Sequence, residues 1–319
     1  MTPHGVPPAP RHGWRLEDVA DQSGRTAVVT GTTVGGLGHH TALELARHGA
    51  RVVLAGRSEA RLAETYDAVR REAPDATLEK LVLDLADLDA VRRAAARAAV
   101  LGPLDLLVNN AGVMATSYQR TGDGLELQMA TNHFGPFLLT GLLLPQLAAA
   151  GAGRVVTVSS LVHRAARSAP LDDPRHAGGH YRRWPAYAAS KLANLLFTYE
   201  LDRRARRAGL AVTALAAHPG FAGTHLVANG RFGRASGGGA SILDAAVRAL
   251  SSQTPDAGAR PTLMAATADL PGSTFCGPSG LGELRGPPGV VTSSRRSHDE
   301  TAQRRLWELS ERTTGLSYP

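Results

Sequence analysis

Short apolar runs alternate with longer stretches of helical periodicity along most of this chain. Residues 26–30 make an apolar run of strand length, followed by a glycine-rich turn and a helical pattern over 41–48. Strand-like runs recur at 51–55, 78–83, 104–108, 154–158 and 211–216. Between them, over 59–71, 88–100, 125–150 and 185–208, apolar residues return every three to four positions, as on one face of a helix. Ser58 stands where an N-cap is expected, and Pro185 opens the last of these helices, where its missing N–H has no intrahelical partner to lose. The strand runs are near-continuously apolar rather than alternating, the pattern of strands covered by helices on both faces. Strict strand–helix alternation predicts α/β architecture with a doubly wound parallel sheet of the Rossmann type. No Pro/Gly-rich linker interrupts 25–220, so residues 21–319 read as one domain. Its later part holds a glycine-rich stretch over 230–239, helices near 241–252 and 258–268, a short strand at 274–276 and a terminal helix over 299–314.

Composition narrows the classes. The chain has 319 residues, 43% of them hydrophobic, which suits an ordinary soluble core. Net charge is +7, yet the basic residues are scattered, clustering only at Arg203-Arg204-Ala205-Arg206-Arg207 and Arg295-Arg296. The first cluster ends a predicted helix, where cations suit the dipole. A nucleic-acid surface would group its cations with aromatics, so no nucleic-acid partner is expected. The single cysteine, Cys276, excludes internal disulfides and fits a reducing, cytoplasmic setting. Residues 1–20 lack an apolar run and read as a disordered leader rather than a signal peptide. No run approaches the length of a membrane span, and no metal site is expected. Arginine in place of lysine, with abundant alanine, fits a GC-rich bacterial coding sequence and a tailoring step in specialised metabolism.

The candidate chemistry lies at the strand ends. The first βα turn, Thr30-Gly31-Thr32-Thr33-Val34-Gly35-Gly36-Leu37-Gly38, carries glycines that let backbone approach a pyrophosphate at a helix N-terminus. Arg57, at the end of the second strand, stands where a ribose 2′-phosphate is met by arginine and a free 2′-hydroxyl by a carboxylate, so the expected cofactor is NADP(H). Only two of the 35 basic residues are lysines, Lys80 and Lys191. Lys191 follows Tyr187 by four positions, which puts an ammonium beside a phenol on one helix face. A neighbouring cation favours the phenolate and lowers its pKa. Spacing alone also fits a packed ring with a snorkelling lysine.

In combination, these residues resemble the short-chain dehydrogenase/reductase family, in its retinol-dehydrogenase-like branch, over about 24–226. Leu107-Val108-Asn109-Asn110-Ala111-Gly112-Val113-Met114 is similar to the family's Asn-Asn-Ala-Gly motif. The resemblance implies that this segment's backbone and the Asn109 side chain brace the sheet, with Ala111 and Gly112 lining the cofactor site. Asp84 and Leu85 match the pair at adenine. Ser160, Tyr187, Lys191 and Asn132 match the catalytic set. Pro219, Gly220 and Thr224 resemble the loop at the nicotinamide end. The family's Thr-Gly-x-x-x-Gly-x-Gly is departed from by one extra residue, which leaves open whether Gly35 or Gly36 faces the cofactor.

The expected activity is NADPH-dependent hydride transfer to a carbonyl, with Tyr187 delivering the proton, Ser160 holding the oxygen and Lys191 holding the ribose. Ser159 is assigned a backbone-bonded structural role. Pro136 lacks an N–H, so the helical bond to the Asn132 carbonyl cannot form and a kink is expected there. His133 is read as packing within that helix. Met114, Trp184 and Phe221 suggest an apolar or aromatic substrate pocket, and residues 221–240 a glycine-hinged lid. Two other readings stay open: a non-redox cyclase, dehydratase or lyase keeping NADP as a structural cofactor, and a dinucleotide sensor without turnover. Related scaffolds pair through long helices such as 125–150 and 185–208, so a homodimer or homotetramer is expected.

Overall fold

The computed structural model describes residues 13–168, 171–176, 180–221 and 253–319. An eight-stranded sheet runs in the order β3-β2-β1-β4-β5-β6-β7-β8. Its strands are β1 (Thr26–Thr30), β2 (Arg51–Gly56), β3 (Leu78–Val82), β4 (Leu106–Asn109), β5 (Gly153–Val158), β6 (Val212–Ala217), β7 (Phe275–Pro278) and β8 (Pro288–Val290). The first seven are parallel, as the alternation predicts. β8 is an unexpected eighth strand, antiparallel to β7. Its Pro-Gly-Val sequence has no strand pattern, and hairpin return from β7 places it. The chain crosses from β3 at one edge back to β4 beside β1, so the crevice at the strand ends opens there.

Helices cover both faces. On one side α1 (Leu37–Arg47), α2 (Glu59–Glu72) and α6 (Pro255–Thr267) bury Leu45, Val69 and Met264 against the sheet. On the other lie α3 (Leu88–Ala99), α4 (Gly135–Ala149) and α5 (Arg183–Arg207), with the terminal α7 (Glu300–Thr314) packed over them. Ser58 caps α2, accepting from the Arg61 amide. α1 starts at Leu37, four residues before the periodicity predicts, because Gly36 and Gly38 hide a helix start that close packing demands.

One expectation needs correction. The leader does not extend to residue 20. Trp14 and Val19 are buried, at 4% and 5% exposure, in the core beside α1, and apolar burial of that size orders a segment. The lid, the helix near 241–252 and Thr224 lie outside the described residues.

α4 and α5, through which pairing was expected, have no free apolar face. α5 is buried without interruption from Ser190 to Asp202, the signature of an interior helix. Trp307 of α7, 1% exposed, packs edge-on against Phe137 of α4 and stacks on Phe197 of α5. The Arg204 guanidinium lies 4.5 Å from its ring centroid. Tyr318 fills the space over Gly141 and donates to the Phe137 carbonyl at 3.0 Å. Two chains could bring α4 and α5 together only by displacing α7. Among the described residues no helix is long and apolar enough to cross a membrane.

Trp307→Ala should lower the free energy of unfolding by about 3–5 kcal/mol, read as a shifted urea midpoint with secondary structure retained. A loss below about 1 kcal/mol would contradict this packing.

Candidate active site

The ends of β1 and β4 are stitched together by one hydroxyl. Thr30 Oγ1 donates to the Val108 carbonyl at 3.2 Å and accepts from the amides of Asn110 and Ala111, each at 3.0 Å. The Asn110 side chain donates to the carbonyls of Thr30 (2.6 Å) and Gly31 (3.2 Å). A Cβ on Gly31 would stand 2.8 Å from the Ala111 Cα, and one on Gly38 2.5 Å from Asn110 Nδ2. These two glycines are required by space; Gly31 and Gly35 also have φ of +73° and +74°. Gly36 is less constrained, though a Cβ there would still stand 3.0 Å from the Thr33 carbonyl oxygen. Its φ is −90°, it caps α1, and its amide donates to the Thr33 carbonyl at 2.9 Å. The extra residue is absorbed in this Thr33–Gly36 turn. Leu37 is buried at the head of α1, and His39 Nδ1 accepts a long bond, 3.4 Å, from the Gly35 amide.

Beside this turn a cavity of about 50 Å³ is lined by Thr32, Thr33, Arg57, Ser58 and Arg61. Arg57 is exposed at its wall, and Arg61 adds a second guanidinium one helical turn on. Asp84 accepts from the Ala86 amide at 2.9 Å, and the Leu85 carbonyl packs against Gly135 at the head of α4. The glycine cradle, the helix start and the paired guanidiniums suit a phosphorylated dinucleotide.

Asn132, Ser160, Tyr187 and Lys191 converge at the other end of the crevice. Asn132 lies in a π-helical turn, Ala130–Phe134, between a single helical turn at Leu127–Met129 and α4. This is the irregularity expected from Pro136, whose nitrogen cannot donate to the Asn132 carbonyl. The Asn132 side chain exchanges two bonds with Val113, accepting from its amide (2.8 Å) and donating to its carbonyl (2.9 Å). It also donates to Ser190 Oγ at 2.9 Å, and Ser190 donates to the Tyr187 carbonyl at 2.8 Å. Asn132 is thereby fixed to the helix that carries Tyr187. A Cβ on Gly112 would lie 3.0 Å from Asn132 Oδ1 and 3.5 Å from Lys191 Nζ, so all three meet at one point.

Tyr187 is 5% exposed, with the Ser160 hydroxyl near enough to its phenol to act on its pKa. Lys191, also 5% exposed, donates to the Val158 carbonyl at 2.9 Å, its Nζ 5.8 Å from the Tyr187 ring centroid. Here an expectation is corrected. Burial pushes the Tyr187 phenol up to about 12, with the Ser160 hydroxyl opposing it. Burial also draws Lys191 down to about 8. The ammonium faces the ring and a strand carbonyl, so desolvation outweighs any pull toward the phenolate. Ser159 has the structural role expected of it, donating to the Lys191 carbonyl at 2.8 Å. His133 is wholly buried among Phe134, Phe137 and Phe197, hydrogen-bonded to Ser310, and burial holds it near 3, so it is a neutral core residue.

Other expected residues are distributed less tightly. Asn109 donates to Thr140 of α4 at 3.0 Å and leaves its Oδ1 buried without a partner; bracing of the glycine turn falls to Asn110. Gly220, at φ +64°, packs with Pro219 against Pro278 and the Leu284 carbonyl. Met114 is half-buried after the β4 motif. Trp184 is 43% exposed with its ring edge-on to Tyr187 at 6.2 Å, and Phe221 is 41% exposed. The sequence reading missed Thr30, Asn110, Ser190 and Arg61. Thr30 and Asn110 lie within the quoted motifs, and Ser190 stands between Tyr187 and Lys191, so position could have flagged them.

A sequence profile for short chain dehydrogenases matches residues 25–170. Human retinol dehydrogenase 13 is 37% identical, the alignment covering 93% of this chain and 86% of that protein. Polyprenol dehydrogenase of Mus musculus is 39% identical, covering 96% and 88%. A crystal structure of an uncharacterised protein from Mycobacterium paratuberculosis is similar over 96% of this chain and 99% of that one, with 41% identity and a TM-score of 0.78. A protein from Beutenbergia cavernae solved with NADP at low occupancy is 29% identical, covering 77% and 90%, with a TM-score of 0.58.

The Lys191 shift carries a stability consequence. Its pKa is lower folded than unfolded, so between about pH 8 and the free-lysine value of about 10.5 the unfolded chain binds more protons and stability rises with pH. Lys191→Met removes the buried charge, and Asn194 still donates to the Val158 carbonyl. The variant should be more stable than wild type at pH 7 by about 1–2 kcal/mol, the gap closing as pH approaches 10.5. Equal urea midpoints at pH 7 would contradict the cost of that burial.

Proposed function

The chain belongs to the short-chain dehydrogenase/reductase family, in its retinol-dehydrogenase-like branch, and from that we propose an oxidoreductase that exchanges hydride between NADP(H) and an apolar carbonyl or alcohol. The observation that carries this reading is Tyr187 buried with Ser160 and Lys191 beside it, at the mouth of a crevice too narrow for any residue but glycine at Gly31 and Gly38. The nicotinamide ring supplies or accepts the hydride. With its pKa held near 12, Tyr187 is a phenol at neutral pH and is ready to give its proton to a carbonyl oxygen. Ser160 offers a second hydroxyl to the same oxygen, where negative charge would otherwise build. Lys191 would hold the ribose, and the Asn132 carbonyl, to which Pro136 cannot donate, would accept from water on the proton's way to bulk solvent.

Arg57, Arg61, Thr33 and Ser58 around their small cavity favour the 2′-phosphorylated cofactor. The NADP-containing relative from Beutenbergia cavernae supports the same choice. For the substrate, two relatives are named for retinol and polyprenol, both apolar alcohols. Trp184 and Phe221 offer exposed apolar surface at the rim of the site.

Tyr187→Phe should lower kcat/KM for an apolar aldehyde or ketone by about 10²–10⁴-fold while NADPH still binds, followed by loss of NADPH absorbance. Retained turnover would remove Tyr187 from the chemistry; product formed by the wild-type protein without NADPH loss would instead be the signature of a non-redox enzyme. Arg57→Asp should move the NADPH:NADH preference toward NADH by about tenfold or more. An unchanged preference would place the 2′-phosphate elsewhere.

A further inference from the structure

A second group of buried polar side chains lies where the turns after β5 and β6 meet the β7–β8 connection. His218, fully buried directly after β6, packs against Phe275 with ring centroids 5.0 Å apart. Its Nδ1 accepts from the Gly220 amide at 3.1 Å. Burial, with His163 and Arg164 nearby, holds its pKa near 3, so the ring is neutral and its one proton is on Nε2. That nitrogen lies 3.2 Å from Glu283 Oε2, out of line for a hydrogen bond, and neither atom has a hydrogen-bond partner.

Glu283 reaches the other way as well. Its Oε1 accepts from Arg164 at 2.8 Å, and Arg164 donates also to the Thr292 carbonyl at 2.9 Å. Arg164 belongs to the 3₁₀ turn Leu161–Ala165, which Ser160 caps. In the same turn His163 bonds the Ser160 carbonyl through Nδ1 at 2.6 Å and accepts from the Ser294 amide at 3.1 Å. Glu283 takes up these contacts at φ +58°, a conformation that residues with a Cβ adopt at a cost. The next residue's carbonyl, Leu284 O, accepts from the Phe221 amide at 2.8 Å and packs on Gly220.

We propose that Glu283 is a positioning residue for the cofactor loop: with Oε1 held by Arg164, its carboxylate sets Oε2 3.2 Å from His218 Nε2, an attraction that favours the proton on that nitrogen and with it the Gly220 turn. This rests on the reading of Pro219–Gly220 as the nicotinamide-end loop of an NADP(H) enzyme. Only a group with two acceptors serves both partners. A glutamine that gives its oxygen to Arg164 turns its NH₂ toward His218 Nε2, driving the proton to Nδ1, where it would confront the Gly220 N–H donor to donor. Turned round, it sets NH₂ against the guanidinium.

The test compares wild type, Glu283→Gln and the double variant Arg164→Met/Glu283→Gln. It reads the His218 ring nitrogens by NMR, hydrogen exchange at the Gly220 amide, and NADPH affinity by fluorescence. Glu283→Gln should move the ring proton to Nδ1, speed Gly220 exchange and weaken NADPH binding by about tenfold, with kcat at saturating NADPH within about twofold. Removing Arg164 frees the glutamine to turn its oxygen to His218, so the double variant should recover to within about threefold of wild type. A single variant that keeps the Nε2–H tautomer and wild-type affinity, or a double variant no better than the single, overturns the proposal. Wild-type protein that binds no dinucleotide sinks the cofactor reading and this one with it; normal wild-type binding with an indistinguishable Glu283→Gln sinks this one alone.

Discussion

Where β1 and β4 end side by side, two backbones come closer than any Cβ allows, and the Thr30 hydroxyl closes the gap with three hydrogen bonds. Parallel strands that part company at a crossover leave a crevice at their carboxyl ends. In this chain Gly31 and Gly38 bring the walls together and Asn110 locks them. Everything functional is referred to that closure. The start of α1 points its amides at the crevice, Arg57 and Arg61 flank one end, and the π-turn of Asn132 presses Val113 and Gly112 toward Lys191 at the other.

The second determinant is dryness. Tyr187 and Lys191 both sit at 5% exposure, and burial moves each toward its neutral form. A low-dielectric site strengthens every hydrogen bond made in it and penalises every charge left unpaired. The protein answers with preset partners: Val158 for the ammonium, Ser160 for the phenol, Ser190 and Val113 for the amide of Asn132. Farther out, a single carboxylate accepts from one arginine and stands beside a buried histidine that belongs to a different strand-end turn.

The sequence disclosed most of the sheet because its strands are buried on both faces and therefore read as unbroken apolar runs. Tyr187 and Lys191 were legible from their spacing on one helix face, Ser160 and Asn132 only through the family resemblance, and the fold gathers all four at one end of the crevice. The proline four residues beyond Asn132 was enough to foresee a distorted helix there, a local covalent constraint that packing could not override. What stayed hidden depends on partners far away in the chain. Glu283 meets Arg164 across 119 positions, and Trp14 is ordered by a core that no local pattern reveals. β8 is three residues long with no periodicity of its own. The direction of the Tyr187 shift was misjudged for a related reason: spacing shows that a cation is near, whereas desolvation is a property of the whole fold.

The chain's three tryptophans fall into two environments. Trp14 and Trp307 are shut away at 4% and 1% exposure, while Trp184 stands 43% exposed with its indole edge-on to Tyr187. Emission from the interior pair is shielded from water and from dissolved quenchers. The red-edge, quencher-sensitive part of the protein's fluorescence therefore originates one helical turn from the Tyr187 phenol, giving the molecule an optical gauge of events at the candidate site without any added label.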